Sequence, residues 1–160
     1  MPAALKLSPA KYQEIKKKDI PSVEIGNGVA TVRIIAGSFN DVQGAASTHT
    51  PINLWDVSLA ANQSMDMRTT EGHTSIIFCR TGSLQVNPET NTQMIKSAQI
   101  VLLAREGNTI KLSGGSEGAH FMVLDGAPIN EPIAARGPFV MNTQAELRQA
   151  AADYQAGLMG

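Results

Sequence analysis

The chain has 160 residues, a formal net charge of -1 and a hydrophobic fraction of 42%. That length suits one domain with a real core. The charge balance gives no electrostatic sign of a nucleic-acid partner, and no apolar run approaches the ~18 residues of a membrane-spanning helix. The single cysteine, Cys79, cannot form an internal disulfide. The start, MPAALKLSPAKYQEIKKKD, lacks the continuous apolar stretch of a secretory leader. A soluble cytoplasmic protein is therefore expected.

Residues 1–21 read as an extended tether, punctuated by Pro2, Pro9 and Pro21, with room for a short helical turn between Pro9 and Asp19. Lys16, Lys17 and Lys18, flanked by Glu14 and Asp19, form a solvated linker or helix end, not a phosphate-binding patch. From Ser22 the pattern changes. Two β-prone runs surround Gly26-Asn27-Gly28, a hairpin signal because Gly and Asn accept positive φ. NLWDVSL then alternates, with Trp55, Val57 and Leu59 on one face and Asp56 and Ser58 on the other.

Short strands follow at TSIIFCR, SLQV, TQMIK, AQIVLLA, TIKLS and AHFMVL. The turns expected between them are Thr81-Gly82, Asn87–Asn91, Glu106-Gly107-Asn108 and Gly114-Gly115. Many short strands without intervening helices predict a closed or sandwiched antiparallel architecture over 22–126. Residues 127–142 carry three prolines and no period, and are expected as an extended segment clamped to the barrel surface. Thr143 and Glu146 have capping-box spacing, and Leu147, Ala150, Ala151, Tyr154 and Leu158 follow a helical stripe. One helix over 143–157 is predicted, with Gly157 able to end it.

The closing stretch GAPINEPIAARGPFVMNTQAELRQAAADYQAGLMG closely resembles the end of the pirin family, whose members finish with an NEP element, a GPFVMNT element and a helix ending in DYQ-x-G. Upstream, PAKYQEI resembles the linker joining the two pirin halves. GVATVRIIAGSFNDVQGAAS and EGHTSIIFCRTGSL resemble the first strands and central hairpin of the second half. Pirins are bicupins, so the resemblance implies an all-β fold: a single cupin barrel (double-stranded β-helix, jelly-roll type) with the N-terminal tether and one C-terminal helix. In the family, iron bound by three histidines and a glutamate lies in the first half, with the quercetin dioxygenase activity described for some members. The chain resembles only the second half and the linker. It is either a free-standing half or a fragment.

A cupin metal site needs two histidines one residue apart, an acid shortly after, and a third histidine on a later strand. Counting back from Thr81-Gly82 places these positions near Arg68, Thr70 and Ser75, with the last near Asn108 or Thr109. None is a first-choice ligand. His73 falls between these positions and reads as structural, hydrogen-bonded to backbone or partly exposed. His49, in STHTP, is a loop histidine. His120, in GAHFMV, is a satisfied core or rim histidine, a barrel-lining position being the alternative. These three histidines are the only metal candidates, and no metal, cofactor or catalytic residue is expected in this chain, iron belonging to the family's other domain.

Cys79 reads as a buried, inert thiol with Arg80 on the opposite side. Neither Asp56 with Asp66 nor Glu71 with Glu106 forms an evident acid–base pair. Gly114-Gly115 lacks the following helix that a phosphate loop needs. Met94, Met122 and Met141 read as core filler, or as the lining of a cavity for a small apolar ligand. The expected function is a non-catalytic protein-interaction or scaffolding half of a pirin-type protein. It would self-associate, a dimer being simplest, or bind a separate N-terminal half through an exposed apolar patch. The alternative is an iron-dependent, quercetin dioxygenase-like enzyme whose metal is held by the missing half or by this chain's own histidines. A third is a small-molecule ligand in the barrel without catalysis.

Overall fold

The computed structural model describes residues 1–90 and 93–158. Asn91 and Thr92, at the end of the turn expected over 87–91 and the start of TQMIK, lie outside the described residues, as do residues 159–160. The chain forms two units: Glu14–Pro128, and Met1–Gln13 together with the segment from Ile129 onward.

The larger unit begins with the expected hairpin. Strands β1 (Ser22–Ile25) and β2 (Ala30–Ala36) pair antiparallel, with Gly26 and Gly28 both at positive φ between them. A two-residue turn, Asn40-Asp41, also at positive φ, closes a smaller hairpin of β3 (Ser38–Phe39) and β4 (Val42–Gln43), the geometry that matches strand twist. Next come β5 (Ile52–Leu59), β6 (Ser64–Arg68), β7 (Thr74–Val86), β8 (Met94–Lys96), β9 (Gln99–Leu102) and β10 (Thr109–Gly126). The main sheet runs β1-β2-β5-β10-β7-β8, with β6 added to β10 and β9 to β7. The result is a cupin-type β-barrel.

Two expected turns are not turns. Thr81-Gly82 lies within β7 and Gly114-Gly115 within β10. Their pairing shifts register between Gly114 and Ala119 and again at His120/Phe121, so each strand bends and continues. The first half of β7 meets β9 and the second half meets β8. One half of β10 meets β6 and the other meets β5. Two long bent strands therefore knit both sides of the barrel together. The inward phase of β2, β5, β7 and β10 supplies Ile34, Trp55, Val57, Ile77, Leu84, Phe121 and Val123, all buried. Each such side chain contributes on the order of 1.5–3 kcal/mol by leaving water.

Met65 and Met67 are the core methionines of this unit. Met94 is exposed and Met122 half-buried, which corrects the expectation that they fill the core. Both stand in the outward phase of their strands.

In the second unit, the stretch expected to be extended folds into a short hairpin, β11 (Ala134–Arg136) with β12 (Phe139–Met141). Helix α1 (Gln144–Gln155) follows, with the complete Thr143/Glu146 capping box. Gly157, at φ +70, takes the left-handed conformation common after a helix end. Leu147 and Ala150 pack with Ala134 and Met141 into a small core. The N-terminal residues join this unit: the Ala3 amide donates to Glu131 Oε2 (2.7 Å) and Lys6 Nζ to the Val140 carbonyl (3.0 Å).

Candidate functional site

The most buried charged group of the barrel unit is Asp125, whose side chain is wholly inaccessible. Strand register places it in one row with Asn53 of β5 and Ser75 of β7. All three share the inward phase of their strands, so their polar groups converge. Ser75 Oγ donates to Asp125 Oδ1 (2.8 Å), and Asn53 Nδ2 donates to Oδ2 (2.8 Å). His73, in the turn entering β7, brings Nδ1 to 3.0 Å from Oδ2. Three side chains thus satisfy a carboxylate whose burial alone would be costly. Asn53 is locked in turn, its Oδ1 accepting from the Ser38 amide (3.2 Å). Gly37 makes that approach possible, because a Cβ at this position would collide with Asn53 Oδ1.

The hydrogen-bond network assigns the ring proton of His73. A carboxylate only accepts, so Nδ1 carries a proton and donates to Asp125, and in the neutral ring Nε2 is then the lone-pair acceptor. His73 also lines two clefts. One, about 80 Å³, contains Thr70, Ser75 and Thr109, three of the positions that the cupin spacing marks, together with Arg105 and Glu106. The other is about 520 Å³ and contains Thr70 with Ser38, Gln43, Thr48 and Asn53.

An iron ion of the kind a cupin holds finds no matching donor set here. Of the marked positions, Thr70, Ser75 and Thr109 carry hydroxyls, Arg68 a guanidinium and Asn108 a carboxamide, and Nδ1 of His73 is spent on Asp125. Among the described residues no three His, Cys, Asp or Glu side chains gather. His49 stays exposed in its loop. His120 faces outward on β10 opposite Ser58 and Thr81, which corrects the core and barrel-lining placements but not the rim. The reason is phase: its neighbours Ala119 and Phe121 take the inward positions.

His73 also needs correction. It is partly exposed, as one of the two expectations has it, but its ring partner is a buried carboxylate 52 residues away and not the backbone. The sequence does hold a signal for Asp125. Counting inward positions from Phe121 through Val123 lands on it, and an acid in the buried phase of a strand demands an explanation. Elsewhere, Asp56 lies between Arg33 Nη1 (3.0 Å) and Arg80 Nη1 (3.2 Å), apart from Asp66. The turns of Glu71 and Glu106 adjoin through the Gly72 amide and the Arg105 carbonyl (2.9 Å), with both carboxylates exposed. Cys79 is fully buried and burial pushes its thiol up from the ordinary range, the setting of an unreactive cysteine.

Residues 54–160 match the pirin C-terminal cupin domain. A Pseudomonas aeruginosa protein named "putative quercetin 2,3-dioxygenase" is 34% identical over 157 residues, covering 98% of this chain and 53% of its own length. Rat pirin is 31% identical, covering 94% of this chain and 51% of its own. The crystal structure of a quercetin 2,3-dioxygenase from Acinetobacter baumannii superposes with a TM-score of 0.90 at 39% identity, across all of this chain and 54% of that one. The chain spans about half the length of the curated relatives it matches. No helix among the described residues is long and apolar enough to cross a membrane.

Proposed function

This chain belongs to the pirin family, as its C-terminal cupin domain, and from that premise we propose that it works as a non-catalytic, cytoplasmic protein-interaction module. One observation carries this reading. One stretch of the main sheet's outward phase, bordered by Asp56 and His120, is apolar where polar residues are the rule. Strand register sets Leu54, Leu124, Ile76 and Leu102 in one row across β5, β10, β7 and β9. Met122, Phe78 and Ile100 stand in the next. Leu102 is 65% and Ile100 64% exposed. Contiguous apolar surface of this kind is seldom left to water.

The face is suited to receive a second cupin half, the part of its relatives that this chain does not span. Without that half, the same face makes the chain self-associate. Light scattering coupled to size exclusion tests this directly. Association at high micromolar concentration is expected, and a clean monomer there overturns the reading.

The relatives' names favour a second reading, in which the assembled protein is a quercetin dioxygenase-like oxidoreductase. Iron would then be held by the other half, since the donors around His73 do not suit it. Elemental analysis with a quercetin turnover assay, after iron loading of this chain alone and with a histidine-bearing half, separates the two. Turnover by this chain alone would contradict the non-catalytic proposal.

A further inference from the structure

The Asp125 cluster goes beyond this reading, because it lies on the inner row of the sheet while the apolar rows face outward. Replacing a buried ionic arrangement by well-packed apolar residues is often neutral or stabilising. An acid held here by three donors is therefore weak evidence for stability and better evidence for positioning. What it positions is His73, and the base-plus-orienter pair is the arrangement by which proteins fix one imidazole tautomer.

The chemistry of the larger cleft says what that imidazole meets. Among the described residues lining it, His73 is the only ionisable side chain, so an ionic ligand would find no fixed counter-charge. The rest of its polar lining is hydroxyls and carboxamides, Ser38, Gln43, Thr48, Asn53 and Thr70 among them, groups that both donate and accept. Gln43 Nε2 donates one hydrogen to the Gly37 carbonyl (2.9 Å), which leaves Oε1 and the second N–H. Thr48 Oγ1 donates to the Thr50 carbonyl (2.8 Å), which leaves its lone pairs. His73 donates through Nδ1, which leaves Nε2. A cleft that offers donors and acceptors but no carboxylate or fixed cation matches a ligand whose hydroxyls do both. Its size falls within the range of small-molecule sites.

We propose that this cleft binds a small neutral polyol, one hydroxyl of which donates to His73 Nε2, with Asp125 as the positioning residue that fixes the ring. The site is a binding site and requires no covalent step. Its failure is distinguishable from that of the interaction reading, because light scattering reads the outer face and the experiment below reads the cleft.

The test is nitrogen-15 NMR titration of the whole chain with glycerol, myo-inositol and D-glucose, with inorganic phosphate and acetate as anionic comparisons. Saturable shifts at Thr48, Thr70 and His73 are expected with at least one polyol, and His73→Phe should weaken that binding at least tenfold. Long-range proton–nitrogen spectra of the imidazole should show a protonated Nδ1 and a bare Nε2 in the wild type, and Asp125→Asn should disturb that pattern while weakening binding. Absence of saturable shifts with all three polyols overturns the proposal. So does tighter binding of phosphate or acetate at the same residues, or unchanged binding by His73→Phe. If His73→Phe fails to fold, the wild-type tautomer decides, and a protonated Nε2 with a bare Nδ1 overturns the assignment.

Discussion

At the residue scale, Asp125 and Asp56 show why burial decides what a charge contributes. Asp125 is inaccessible and holds three donors from three segments. Asp56 keeps 16% of its side chain in water between two arginines. Removing the first leaves its donors without an acceptor, so Asp125→Ala should lower stability by about 1–3 kcal/mol for each buried donor left unpaired, read as a lower urea midpoint. Asp56→Ala should cost much less. Equal losses would show that burial does not set what Asp125 contributes. Cys79 adds a pH-dependent consequence. Its Sγ faces the Thr81 and Gly82 carbonyls (3.6 and 3.8 Å), and burial raises its thiol above the usual range. The folded state therefore holds that proton more tightly than the unfolded chain. Its stabilising contribution is complete below the unfolded thiol's range and is lost as pH climbs, from about pH 8.5 upward. Urea midpoints measured across alkaline pH should fall more steeply for the wild type than for Cys79→Ala, and matching slopes would refute this. The three histidines were visible in the sequence, as was their mismatch with cupin ligand spacing. The carboxylate behind His73 was not, because periodicity reports which face a residue takes but not which side chain 52 residues away meets it.

At the element scale, the strands were legible from alternation, and the capping box from a single Thr–Glu pair. Glycine was the source of error. Thr81-Gly82 and Gly114-Gly115 look like turns because glycine usually ends a strand. Here the glycines let two strands cross closely while both continue. Gly82 is at φ +76, and a Cβ on it would strike the Gly118 carbonyl oxygen, itself on a residue at φ +74. Gly82→Ala combines left-handed strain with a backbone clash and should destabilise the fold by at least about 2 kcal/mol, measured by chemical denaturation. Gly107 is also at positive φ but meets nothing. Gly107→Ala should cost only the conformational strain of about 1 kcal/mol. If the two substitutions cost the same, the close crossing of β7 and β10 is not what requires Gly82. The β11–β12 hairpin escaped detection because three-residue strands beside prolines have too few positions to show a period.

At the scale of the whole molecule, the family and barrel were readable because the closing motif and the strand pattern agree. The apolar outward rows were not legible from alternation, since such residues read as ordinary strand residues until register aligns them. Register turns that face into a prediction with a clean control. Ile100 and Leu102 are already mostly in water, so they contribute little to the barrel's own stability. In an association buried against another face, each would lose most of that exposure. Ile100→Lys with Leu102→Lys should therefore abolish self-association while leaving the urea midpoint of the monomer within about 0.5 kcal/mol of the wild type. Because the rows are apolar, association of the wild type should persist at high salt, where exposed ion pairs are screened. A Lys pair on the inward phase would unfold the protein and report nothing about the face. The outward pair separates the two effects, and association that survives it would move the interaction surface elsewhere on the chain.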